Sequence, residues 1–182
     1  MGWFFYLITT LNFLIMGEII FRDAILEDLE KIVEIYNSTI PSRMVTADTQ
    51  NISVESRKEW FNEHNLETRP LWMIEDSQHT ILGWVSFSSF YGRPAYHATV
   101  EMSIYIDPNS RGKGIGKKAL QYCIDNAGKY GIKTLLGFIF SHNEPSLHLF
   151  RHFGFEDWGT LPDVAILDGV ERTLKILGKR IS

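Results

Sequence analysis

The stretch from Arg111 to Lys118 reads RGKGIGKK and carries more potential chemistry than any other part of the sequence. Glycines let the backbone turn sharply and point its N–H groups outward, and such a nest opening a helix attracts phosphate. Lys113, Lys117 and Lys118 add positive charge at the same place. Two other phosphate motifs are excluded. A Walker A loop needs Gly where Arg111 stands and Ser or Thr after the Lys, and the dinucleotide fingerprint needs Gly or Ala where Lys117 stands. Glu101 is a carboxylate in a strand-like stretch just upstream, and Arg93 in the run Arg93, Pro94, Ala95, Tyr96 could pair with a carboxylate. Cys123 has no accompanying base and reads as a small apolar core residue. His142, His148 and His152 read as surface or helix histidines.

These residues need elements to position them, and from Glu18 onward the pattern alternates between the helical and strand periods, which predicts a mixed α+β sheet protein. Ile19 to Phe21 reads as a strand. Leu29, Ile32, Val33 and Tyr36 form a helical stripe within residues 25–37. A polar loop follows, and then a helix from Ser53 to Asn65 with Ser53 as its N-cap. Residues 71–75 and 80–88 read as a hairpin around 76–79. Residues 97–107 alternate strictly, setting Val100, Met102, Ile104 and Ile106 against Glu101, Ser103 and Tyr105. Pro108 ends that strand. A helix over 114–130 repeats Ile115, Ala119, Cys123 and Ala127. Residues 134–140 are a continuous apolar strand, residues 144–153 a short helix stopped by Gly154, and Asp168-Gly169 turns a final hairpin.

At 182 residues the chain can bury one sizeable core, and we expect one domain over 18–182. Eighteen Lys+Arg against 22 Asp+Glu give a net charge of −4, so no bulk positive field exists for nucleic acid or an anionic membrane. A single cysteine excludes an intrachain disulfide framework and a Cys-rich zinc site and is compatible with a reducing compartment. Residues 1–17 hold an apolar run, 3–16, that is shorter than a membrane span, is broken by Thr9, Thr10 and Asn12, and is preceded by no Lys or Arg. We read it as an extension upstream of Met16, with no membrane role expected.

With these pieces in order, the sequence resembles the GNAT superfamily of N-acetyltransferases. The resemblance rests on R-x-x-G-x-G at 111–116, on the acidic strand TVEMSIYID before it and on HNEPSLHLFRHFGF after the helix. The stretches VEIYNSTI and GRPAYHATVE and the Asp-Gly hairpin look like the branch that acetylates phosphinothricin and methionine sulfoximine. The resemblance implies a central, mostly antiparallel twisted sheet flanked by about four helices, acetyl-CoA as cosubstrate, no metal, a homodimer and a cytoplasmic location. It implies that the backbone of Ile104, Tyr105 and Ile106 pairs with the pantetheine arm as an added strand, and that Arg111, Gly112, Lys113, Gly114, Ile115, Gly116 and Lys117 hold the pyrophosphate. Asn143 would hydrogen-bond the pantetheine end, Glu101 would act as general base, and residues 93–96 would line the acceptor pocket.

The sequence departs from the pattern at Phe150, where relatives carry a proton-donating Tyr or His, leaving the thiolate to depart unaided or protonated by water, or another group such as His148 to substitute. It departs also at Ile166 or Leu167 and at Thr173, where the branch has a Lys and an Asp. The first expectation is direct acetyl transfer to the amine of a small amino acid or analogue of the phosphinothricin, methionine sulfoximine or methionine sulfone type. Acetylation of a protein N-terminus or lysine, and a non-catalytic acyl-CoA sensor, are the alternatives.

Overall fold

The structure is a computed structural model that describes residues 18–181. The expected extension over residues 1–17 lies outside the described residues.

Seven strands form one sheet: β1 (Ile20–Asp23), β2 (Leu71–Glu75), β3 (Ile81–Ser89), β4 (Thr99–Ile106), β5 (Thr134–Phe140), β6 (Glu156–Leu167) and β7 (Val170–Arg180), in the order β1-β2-β3-β4-β5-β7-β6. Four helices flank it: α1 (Leu29–Asn37), α2 (Val54–Asn62), α3 (Ile115–Asn126) and α4 (Glu144–His152). Every neighbouring pair is antiparallel except β4 with β5. Parallel neighbours need a crossover, and α3 supplies it, so the glycine turn falls between the end of β4 and the start of the crossover helix. The expected mostly antiparallel sheet with four helices is what forms.

Alternation along β4 divides the core between the two sheet faces. Val100 and Met102 pack with Val85, Phe87, Leu120, Cys123, Leu147 and Phe150, which places α3 and α4 on that side. Ile32, Ile35 and Tyr36 of α1 meet Leu71, Met73 and Trp84 on the other, with Trp60, Phe61 and Tyr105 against them. Trp84 also donates its indole N–H to the carbonyl of Ile32 at 3.1 Å, fixing α1 to the sheet. The four-residue repeat of α3 is the buried one, with Ile115 3 % exposed and Ala119, Cys123 and Ala127 fully enclosed.

Several element ends differ from the sequence reading. α1 starts at Leu29 because Leu26–Asp28 form a 3-10 turn. α2 stops at Asn62, its N-terminus capped as expected by Ser53, which accepts from the Ser56 amide. α3 ends at Asn126 and continues as a 3-10 turn to Tyr130. In each case the apolar stripe persists while the backbone tightens, which side-chain period alone does not reveal.

β4 and β5 pair at only three positions, Thr99 with Thr134, Val100 with Leu135 and Glu101 with Leu136. Beyond these they part, although β4 runs on to Ile106 and β5 to Phe140. The sheet therefore opens as a fork with Glu101 at its base.

Candidate active site

The fork is the mouth of a cleft of about 1170 Å³, lined on its sheet side by residues 101–106 and by Gly137 to Phe140. β4 residues past the fork turn one backbone edge toward this space with no strand beside it, an arrangement suited to an extended amide-bearing ligand. A smaller recess of about 290 Å³ adjoins it, lined by Arg111, Gly112, Gly114, Ile115 and Gly116 together with Ser110 and Pro145. The two share Ile106, Gly116, Ser146 and Leu149, so the turn opens into the cleft.

The recess has the geometry of an anion cradle. Gly112 and Gly114 both adopt φ of +75°, and Gly114 is the N-cap of α3, so the first amides of the helix are offered outward. Asp107 fixes the approach by accepting from the Asn109 amide at 2.9 Å and pairing with Lys31 at 3.1 Å. Arg111 donates through Nε to the Ile106 carbonyl at 3.3 Å. Lys113 and Lys117 are exposed and stand outside the recess lining, with the Lys113 ammonium donating to the Asn109 carbonyl at 2.9 Å. The Ile115 side chain is buried, so only its backbone is available to a ligand.

Glu101 stands in the cleft half-buried, and burial alone holds its carboxyl above the ordinary carboxylate range. Its carboxylate takes part in no hydrogen bond or ion pair among the described residues. A partly desolvated carboxylate without a partner is a competent proton acceptor near neutral pH. The same face of β4 presents Ser103 and Tyr105, and β3 sets Ser88 opposite Glu101.

Residues 29–155 match the family model described as the acetyltransferase (GNAT) family. The chain belongs to this family. It is 53% identical over 155 residues to YwnH of Bacillus subtilis, provisionally named a phosphinothricin acetyltransferase, covering 85% of this chain and 94% of that one. It is 31% identical over 143 residues to the L-methionine sulfoximine/L-methionine sulfone acetyltransferase of Pseudomonas aeruginosa, covering 79% and 83% of the two. Among solved structures, a GNAT phosphinothricin acetyltransferase from Sinorhizobium meliloti in complex with AcCoA superposes with a TM-score of 0.83 at 27% identity, covering 90% of this chain and 89% of the other.

In this GNAT chain the structure brings Glu101, Ile104, Tyr105, Ile106, Gly116 and Asn143 together around the cleft. Asn143 is buried and uses its amide within the protein: it caps α4 by accepting from the Ser146 amide at 3.2 Å and donates to the Met44 carbonyl at 3.0 Å. Arg93, Pro94, Ala95 and Tyr96 are exposed and outside the cleft lining, of which only Gly92 from that loop forms part. Pro94–Tyr96 form a 3-10 turn, and Tyr96 packs edge-on against Phe90 at 5.5 Å. Phe150 is buried beside Gly137, where a side chain would meet its ring at 2.5 Å, and stacks edge-on against Phe155 at 4.9 Å. His148 is exposed and away from the cleft. Cys123 is fully buried and its thiol is pushed up by desolvation, as suits a core residue.

Sequence reasoning missed the aromatic wall of the cleft. Tyr36 of α1, Arg57 and Trp60 of α2 and Trp84 of β3 all line the cleft. Trp84 stacks on Tyr105 with centroids 4.4 Å apart, Trp60 meets Trp84 at 5.6 Å, and Tyr36 meets Tyr105 at 5.1 Å. Tyr36 is held by Thr46 and donates to Asp48 at 2.5 Å. The available signal was the Arg-x-x-Trp spacing of α2, which puts both side chains on one helix face. Among the described residues no group of acids, histidines and cysteines could hold a metal, and no helix is long and apolar enough to cross a membrane.

Proposed function

We propose that the protein transfers the acetyl group of acetyl-CoA to the amine of a small amino-acid-like molecule. The single observation that carries the reading is the continuity of the glycine-turn recess with the cleft that contains the unpartnered Glu101. The recess would take the pyrophosphate on the amides at Gly112 to Gly116, and the free edge of Ile104 to Ile106 would receive the pantetheine amides. The relatives acting on methionine sulfoximine and methionine sulfone support the acceptor class, as does the aromatic wall of the cleft.

The reaction follows from what these groups can do. An ammonium must lose a proton before its nitrogen lone pair can attack, and Glu101 accepts that proton, directly or through a water. The nitrogen adds to the thioester carbonyl carbon, the C–S bond breaks, and the electron pair leaves with sulfur. A thiolate is a far weaker base than an alkoxide and leaves without prior protonation, so solvent can supply its proton afterwards. Phe150 supplies none.

The test is CoA release from acetyl-CoA in the presence of amino acids, sulfones, sulfoximines, polyamines and peptides. Turnover confined to the first three supports the reading. Turnover only with peptides moves the function to protein acetylation, and tight CoA binding with no release for any amine replaces it with an acyl-CoA sensor. We also propose a homodimer, as the resemblance implies. The free edge of β6, with Trp158, Val164 and Ile166 45 %, 56 % and 65 % exposed, is a surface that can serve it. Light scattering should give about twice the 21.0 kDa chain mass, and a monomer at micromolar concentration overturns this. A cytoplasmic location fits the single buried thiol and is tested by fractionation.

A further inference from the structure

Arg57 stands on α2 in the wall of the cleft, its guanidinium 4.7 Å from the centre of the Tyr36 ring and 4.8 Å from that of Trp60. Stacking on two rings holds a guanidinium flat while leaving its N–H edge free. Among the described residues the Arg57 guanidinium makes no hydrogen bond and no ion pair. Its neighbour Lys58, by contrast, bridges to Glu55 at 2.6 Å. Asp48 accepts from the Tyr36 hydroxyl, and Glu63, which shares the cleft lining, forms no ion pair with Arg57 among the described residues.

The other cations near the site are differently placed. Arg69 donates from each of its nitrogens, to Ser89 Oγ, the Thr68 carbonyl and the His97 carbonyl, at 2.7, 2.7 and 2.8 Å. His64 shares the lining, but burial pulls it below the ordinary imidazole range, so it is neutral at pH 7. Arg93 is exposed outside the lining. Arg57 is thus the cation in the cleft whose donors are uncommitted. Arg57 and Glu101 both line this cleft, so it carries opposite charges on its walls.

A zwitterionic amino acid presents an ammonium and a carboxylate two bonds apart around one carbon. We infer that Arg57 binds the acceptor's carboxylate in a planar, two-pronged contact, leaving the amine on the Glu101 side where the thioester is expected. Arg57 is therefore a specificity determinant: it selects amines that carry an acid group and rejects simple amines and polyamines, which would bring a second cation to it. This inference rests on the proposed acetylation of an amino-acid-like amine.

The experiment compares methionine sulfone with 3-(methylsulfonyl)propylamine, the same molecule without its carboxylate, on the wild-type chain and on Arg57→Gln and Arg57→Lys. With the wild type, losing the carboxylate should lower kcat/KM by about 10–100-fold, the range of a charge-assisted contact. In Arg57→Gln that ratio should fall to near 1 through a raised KM for the acid, and Arg57→Lys should restore part of it. The KM for acetyl-CoA should not move in either variant. A wild-type enzyme that acetylates both molecules equally overturns the inference with no variant needed, and so does an Arg57→Gln that keeps the full preference. A wild-type protein that acetylates no amine overturns the parent reading instead.

Discussion

At the scale of single side chains, Glu101 should show a trade between activity and stability. Its proton is held more tightly in the fold than in the open chain, because burial is the cause of the shift. The protonated form thus favours folding, and that contribution is lost as pH rises through the raised value, leaving the ionised group as a cost above it. Glu101→Gln should lower kcat by about 10²–10⁴-fold while acetyl-CoA binding stays within about twofold. The same variant should melt no lower than wild type at pH 8, and an unchanged kcat would remove Glu101 from the mechanism. The wild-type pH profile should have its acid limb above the range of a free glutamate. Glu101 itself was legible in the sequence because strict alternation in β4 put it on the face opposite Val100 and Met102. The other lining residues were not, because Tyr36 and Arg57 lie far from it in the chain and join the cleft only once α1 and α2 fold onto the sheet, while Trp84 arrives through the pairing of β3 with β4.

At the scale of elements, the turn before α3 depends on backbone shape more than on its lysines. A Cβ at Gly114 would meet nothing within 4 Å, yet its φ of +75° is one that side-chain-bearing residues resist. Gly114→Val should therefore act through conformation alone, costing roughly 1–2 kcal/mol if the turn holds its shape. If the turn instead relaxes, the amides lose their common aim. Either way the KM for acetyl-CoA should rise several-fold with little effect on the KM for the amine, and an unchanged acetyl-CoA KM would move the pyrophosphate elsewhere. The elements around this turn were readable: the bounds of β5 match residue for residue, since an uninterrupted apolar run leaves little freedom of register. The loop over residues 93–96 was read as pocket lining because it leads into β4. Sequence adjacency does not decide which residues line a cleft, and here Gly92 is in the lining while residues 93–96 are exposed outside it.

At the scale of the whole molecule, residues 18–181 supply two core faces, the fork and the recess, and we read residues 1–15 as an extension to them. A chain beginning at Met16 should thus melt in a single transition and retain kcat/KM for acetyl-CoA within about twofold of the full chain. Loss of folding in that variant would assign residues 1–15 a structural role. The general layout was legible because each element repeats its own period. The opening between β4 and β5 was not, because a strand pattern records which face a side chain takes and not how long two strands stay together.

That brief partnership couples two things usually adjusted separately. The residue at which β4 and β5 diverge is Glu101, the proposed proton acceptor. Since side chains alternate in steps of one residue, a single-residue insertion or deletion ahead of it in β4 would swing the acid to the helix α3 side and shift the divergence point together. Reactivity and ligand entry here share one indexing, so natural length variation should collect in the connecting loops and spare this strand.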